Sequence, residues 1–147
     1  YGLNVKLSYK NWDFGFNGHG SIGYKVFNDF ASNHSTAYFD VNAGNLPNFA
    51  TAVKRTGFTQ ISGDYQFFSD FYLENASFFR MDDINLGYTF KEIGNWQGNI
   101  RVAASCQNVF VITNYSGIDP EINSTDGVDR TFWPRPRTFS VRLNINF

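Results

Sequence analysis

The sequence predicts an all-β fold: an antiparallel, up-and-down segment of a transmembrane β-barrel with about five strands. Three observations predict it. Apolar residues recur with a period of two and hardly ever of 3.6, which is the spacing of strands. Connections between the alternating stretches are short and long in turn. An antiparallel sheet would then collect short turns at one end and long loops at the other, as membrane barrels do. Aromatic residues make up 19% of the chain, with 17 Phe, 8 Tyr and 3 Trp, and many fall beside the short connections, where a membrane interface gathers them.

The first strand is read over 3–9, with Leu3, Val5, Leu7 and Tyr9 against Asn4, Lys6 and Ser8. A tight connection at Lys10-Asn11 leads into the second, over 12–26. Its apolar face runs Trp12, Phe14, Phe16, Gly18, Gly20, Ile22, Tyr24 and Val26 without a charge. The third is read over 76–90. There Ile84, Leu86, Tyr88 and Phe90 alternate with Asp83, Asn85, Gly87 and Thr89, but upstream Arg80 and Asp82 fall on the apolar parity. Either the strand has left the apolar zone, or a bulge near Met81–Asp83 shifts the register by one. The fourth, over 100–108, sets Ile100, Val102, Ala104 and Cys106 against Arg101, Ala103, Ser105 and Gln107. The fifth, over 137–147, sets Phe139, Val141, Leu143, Ile145 and Phe147 against Thr138, Ser140, Arg142, Asn144 and Asn146. That length suits the ~9–11 tilted residues of one membrane crossing.

The long connections are 28–75 and 109–136, read as extracellular loops; Lys91–Asn99 joins the third and fourth strands. Tyr9, Trp12, Tyr88, Phe90, Trp96 and Phe147 all fall at the short-turn end, which is read as periplasmic. The opposite parity collects Lys6, Asp13, Asn17, His19, Lys25, Asp83, Asn85, Arg101, Gln107, Arg142 and Asn144 as a lumen face. Arg142 on the lipid side would cost ~2–4 kcal/mol near mid-membrane, and the alternation places it inward.

Net charge is -1 over 147 residues, so nothing draws the chain to a nucleic-acid backbone, and no nucleic-acid partner is expected. A mean hydropathy of -0.33, with no run near ~20 apolar residues, excludes a bundle of membrane helices. Cys106 is the single cysteine and reads as a small hydrophobe. The chain opens on Tyr1-Gly2-Leu3, inside a strand and without an initiator Met. Five strands are odd in number and too few to close a barrel. Both features lead to the expectation of a piece of a longer protein.

No enzyme activity, metal or cofactor is expected. Asp82-Asp83 has no acid or His placed beside it by the pattern, so a solvated strand top is preferred to acid–base catalysis. His19 stands alone on the polar face and His34 lies in a loop, too few ligands for a metal. Asp126-Gly127-Val128-Asp129 lacks the ligand register of a calcium loop and reads as an acidic turn. Pro120 restricts Asp119 to extended geometry, which makes Asp119-Pro120-Glu121 a structural element first.

Four motifs occur in order: Leu86-Gly87-Tyr88-Thr89-Phe90; Gln107-Asn108-Val109-Phe110; Tyr115-Ser116-Gly117-Ile118-Asp119-Pro120-Glu121; and Pro134–Phe147. Together they resemble the C-terminal end of the SusC/RagA family of TonB-dependent outer-membrane transporters of Bacteroidetes-type bacteria. The resemblance covers roughly the last half of the chain clearly, and 1–27 less specifically. It implies the last five strands of a 22-stranded outer-membrane barrel. It also implies an N-terminal plug, TonB, and a SusD-like surface lipoprotein as partners, with oligosaccharide or peptide as cargo. It further implies that Phe147, a closing aromatic, belongs to the signal read by barrel assembly. Tyr115, Phe132 and Trp133 are the expected cargo contacts, because aromatic faces stack on sugar rings and peptide side chains, although packing between loops explains them equally. Two other readings stay open: a soluble β-sandwich such as a carbohydrate-binding module, and a non-TonB outer-membrane porin.

Overall fold

The computed structural model describes residues 1–38, 53–60, 69–93, 96–122, 124–130 and 133–147. The elements in chain order are β1 (Gly2–Tyr9), β2 (Trp12–Ser21), β3 (Lys25–Asn28), α1 (Asp29–His34), β4 (Thr36–Tyr38), α2 (Val53–Thr56), β5 (Phe58–Gln60), a 3-10 turn (Asp70–Tyr72), β6 (Leu73–Asn75), β7 (Phe78–Ile93), β8 (Trp96–Thr113), β9 (Val128–Asp129) and β10 (Thr138–Asn146). They divide into two compact units.

The first unit is a five-stranded sheet in the order β1-β2-β7-β8-β10, antiparallel at every pairing. Each strand therefore lies beside its sequence neighbour in the sheet, which is the up-and-down arrangement. Lys10 takes φ 53° in the β1–β2 turn, the left-handed conformation that a two-residue hairpin loop demands at its first position. The Asn11 carbonyl accepts from the Thr89 amide at 2.9 Å, fastening that turn to β7.

Pairing register turns the alternation into rows. Three apolar rows cross all five strands: Tyr9, Trp12, Tyr88, Val102, Leu143; Leu7, Phe14, Leu86, Ala104, Val141; and Val5, Phe16, Ile84, Cys106, Phe139. Polar rows alternate with them: Ser8, Asp13, Gly87, Ala103, Arg142; Lys6, Gly15, Asn85, Ser105, Ser140; and Asn4, Asn17, Asp83, Gln107, Thr138. The apolar face is left open within its unit, with Leu7 at 58%, Val141 at 80% and Leu143 at 60% exposure. A face of that kind meets lipid in a barrel. The sandwich alternative needs a second sheet packed on this face, and among the described residues its unit holds one sheet.

A bulge resolves the parity conflict in the third strand. Asn17 pairs with Asp83 but Gly18 pairs with Met81, so Asp82 is an extra residue in β7. Beyond it His19 pairs with Arg80 and Gly20 with Phe79, which returns Arg80 to the polar parity and sends Phe79 and Met81 to the apolar one. β8 compensates: Met81 pairs with Phe110 and Asp83 with Gln107, leaving Asn108 and Val109 opposite a single β7 residue.

Several boundaries differ from the sequence reading: β8 runs on to Thr113, which takes 109–113 out of the loop read over 109–136, and β7 starts at Phe78 and not at Ala76. β2 stops at Ser21, because Gly23 takes φ 82° and breaks the extended run. Lys25 and Val26 therefore leave the sheet, and Lys25 is not on its polar face. The connection read over Lys91–Asn99 is mostly strand, for β7 runs to Ile93 and pairs it with Trp96. The side chain of Trp96 lies outside the described residues.

The second unit comprises 23–77 and 114–134, so it takes in most of the two long connections together with residues read as strand ends beside 28–75. Its three-stranded sheet has the order β6-β3-β9, and its core holds Val26, Ala76 and Tyr115, with Tyr24 and Ile122 against them. Asn28 caps α1 by accepting from the Ala31 amide at 2.9 Å. Much of 28–75 lies outside the described residues.

Candidate functional site

The chemistry of the sheet's polar face is set by a glycine. Asp13 on β2 and Arg101 on β8 are separated by β7, yet the Arg101 Nε donates to Asp13 Oδ1 at 3.0 Å and a second guanidinium nitrogen donates to Oδ2. The pair passes over Gly87, where a Cβ would lie 2.5 Å from both the guanidinium and the carboxylate. The glycine of the Leu86–Phe90 motif thus keeps space for a cross-strand ion pair. Beside it a hollow of about 700 Å³ is lined by Asn17, Asp83, Asn85, Gln107, Ser140 and Arg142, among others. Asn85 Nδ2 donates to Asp83 Oδ1 at 3.0 Å.

The bulge places two further polar contacts on this face. His19 Nδ1 and Asp82 Oδ2 are 2.7 Å apart, so the extra residue of β7 is also the partner of the lone sheet histidine. Arg80 donates to Asn108 Oδ1 at 2.7 Å. The Asn108 amide in turn donates to the Arg135 carbonyl at 2.7 Å and the Pro136 carbonyl at 3.3 Å. Asn108 takes φ 51°, a conformation Asn tolerates better than most side chains. The asparagine of the second motif therefore ties β7 to the chain entering β10. Sequence reasoning missed Gly87 and Asn108. A glycine on the polar parity inside a strand with charged neighbours was the available signal for the first.

The aromatic candidates separate. Tyr115 is 6% exposed, and its hydroxyl donates to Asp129 Oδ2 at 2.7 Å. Gly117 leaves room for its ring, and the buried Pro120 carbonyl accepts from the Tyr24 hydroxyl. Asp119 Oδ1 accepts from the Glu121 amide at 2.9 Å. The Tyr115–Glu121 motif is thus packed into its unit, which takes Tyr115 away from the surface a cargo could reach. Glu74 fastens the same segment by accepting from the Ser116 amide at 2.9 Å and from Asn28 Nδ2 at 3.0 Å. Trp133 is 84% exposed. Phe132 lies outside the described residues. Phe147 is fully exposed one residue past β10.

The Asp126 turn is closed on itself. Gly127 takes φ 73°, Asp126 Oδ1 accepts from the Val128 amide at 3.1 Å and Oδ2 accepts from Arg130 at 2.8 Å. The Ser124 hydroxyl, Arg130 and the Val128 amide hold its carboxyl below the usual carboxylate range. Asp129 is spent on Tyr115, so the two acids of this turn serve separate packing contacts.

Burial, and next the Asp129 carboxylate, push the Tyr115 phenol above its ordinary value of 10.0. A raised value means the neutral phenol's contribution is complete below pH 10 and is lost as pH rises further. Tyr115→Phe is expected to cost the loop unit about 1–3 kcal/mol by removing a hydrogen bond to a carboxylate. It is also expected to flatten the unit's alkaline destabilisation above pH 10. Limited proteolysis within 114–130 of the full-length protein, followed against pH, checks both; an unchanged profile would discount the contact.

No family model matches the chain. It is 39% identical, over 99% of its length, to the TonB-dependent receptor SusC of Bacteroides thetaiotaomicron, of which it covers 15%. It is 28% identical over 99% of its length to TonB-dependent receptor P3 of Formosa agariphila, covering 16% of that protein. Among solved structures, its fold matches a chain of the RagAB peptide importer in the closed-closed state with a TM-score of 0.72, 19% identity and 99% coverage. The open-open state of the same importer gives the same TM-score. The chain spans 17% of that structure's chain and about a sixth or less of the curated relatives it matches.

Proposed function

This chain belongs with the SusC/RagA family of TonB-dependent receptors, and from that premise we propose that it forms part of the barrel wall of an outer-membrane nutrient importer. Its apolar rows face lipid and its polar rows face the lumen. The observation that carries the reading is that no charged residue enters any of the three apolar rows. The rest of the protein supplies the plug and the contact with TonB, and a SusD-like lipoprotein closes the mouth. The two long connections lie on the outer side, and the cargo is an oligosaccharide or a peptide.

Nitroxide labels test the wall directly in the full-length protein reconstituted in bilayers, with Cys106 replaced by Ala. Labels at positions 141 and 143 are expected to meet oxygen dissolved in lipid, and labels at 140 and 142 to meet a water-soluble relaxant. The same accessibility at all four positions would reject the wall.

Trp133 is assigned a contact with cargo, because an exposed indole next to Pro134 presents a broad apolar face at little entropic cost. Trp133→Ala is expected to weaken retention of either an oligosaccharide mixture or a peptide mixture by about threefold to tenfold. Membrane levels should stay unchanged. Equal retention of both mixtures would remove Trp133 from the site.

A further inference from the structure

The apolar face is not uniformly filled. At its short-turn end a hollow of about 590 Å³ lies between Trp12, Leu86, Tyr88 and Phe90 on one side and Val102 and Ala104 on the other. The hollow is shallow and open along the face. Its walls come from β2, β7 and β8, the three inner strands of the sheet, so its shape does not depend on a strand beyond β1 or β10.

The rings form one wall by edge contacts. Trp12 and Tyr88 have centroids 4.7 Å apart at 63°, and Tyr88 and Phe90 are 4.6 Å apart at 73°. Ala104 leaves depth in the row that Phe14 and Leu86 fill elsewhere. Trp12 is the first β2 residue after the Lys10-Asn11 turn, so the hollow starts at the membrane interface. It reaches the next apolar row, two residues or ~7 Å deeper. A lining of rings and aliphatic carbon offers dispersion and little hydrogen bonding, which suits a hydrocarbon chain and not a sugar or a peptide backbone.

A cation stands over the ring of the residue paired with Trp12. Lys10 Nζ lies 5.4 Å from the Tyr9 ring centroid, and Tyr9 pairs directly with Trp12. We propose that this hollow is a phospholipid site: one acyl chain lies between the ring wall and β8, and the Lys10 ammonium holds the headgroup phosphate. The proposal rests on the membrane-wall reading. It adds that one lipid is held selectively where the rest of the face meets lipid at random.

A photoreactive benzoylphenylalanine in place of Phe90 tests this in the full-length protein in its native membrane, with the same residue at Val141 as reference. Irradiation followed by mass spectrometry of the labelled peptide identifies the lipid. The expected result is a phospholipid adduct at 90 well above that at 141. Lys10→Gln should lower the adduct at 90 about fivefold, the factor expected of one lysine at an anionic lipid surface. Ala104→Phe, which fills the hollow, should bring it to the level at 141. Equal adducts at 90 and 141 would mean ordinary bulk lipid and overturn the site while leaving the wall reading intact. A lipid A adduct at 90 would overturn the phospholipid assignment. Absence of any lipid adduct at both positions would count against the wall itself.

Discussion

Val141→Arg in the full-length protein is expected to cost about 2–4 kcal/mol and to deplete folded barrel from the membrane, because it puts a guanidinium on the lipid side near mid-strand. Ser140→Arg, one position away, should cost no more than about 1 kcal/mol. The contrast follows from register. Val141 stands in the row of Leu7, Phe14, Leu86 and Ala104, whereas Ser140 stands in the row of Lys6, Gly15, Asn85 and Ser105. A single residue, half a strand period, separates the two outcomes, so no general effect of added charge can mimic the difference. Heat-modifiable migration on gels and urea unfolding in bilayers measure it. Similar losses at both positions would show that the faces are not divided between lipid and lumen.

Gly87→Leu is the second change with a large expected effect. A Cβ at this position comes within 2.5 Å of Arg101 and within 2.5 and 2.6 Å of the two Asp13 oxygens, so the ion pair must open or β7 must shift. Overpacking of this kind costs about 1–3 kcal/mol. The pair itself contributes less, since both side chains keep about a third of their exposure, at 31% and 34%, and solvent screens them. A double-mutant cycle separates the two sources. In an Asp13→Ala, Arg101→Ala background the space above Gly87 is vacated, and Gly87→Leu should then cost little. An undiminished penalty in that background would place the cause in the β7 backbone and not in the pair.

Much of the wall was legible in the sequence, because strand periodicity is a local property. Leu3 to Tyr9 and Phe139 to Ile145 reveal their faces without any knowledge of their neighbours. The polar placement of Arg142 follows from its own strand alone. The family resemblance was legible for the same reason, since its four motifs are short and contiguous. The loop unit was less so. Tyr115 reads equally as a packed ring or as an exposed stacking platform until Val26 and Ala76, which flank the other long connection, are known to lie against it.

Sequence by itself determined the class of the chain, its two faces, and the parity conflict at Arg80 and Asp82. Only the tertiary structure decided how that conflict ends. Asp82 is expelled as a bulge residue, His19 receives it, and Asn108 in a left-handed conformation gathers Arg80 and the chain entering β10. It alone also showed why Gly87 carries no side chain, since the two groups that need its space are separated by 88 residues of sequence. The physical reason is common to both. Alternation is written between residues two apart, whereas a bulge or a cross-strand ion pair depends on the register between strands distant in sequence, and hydrogen-bonded pairing of the whole sheet sets that register.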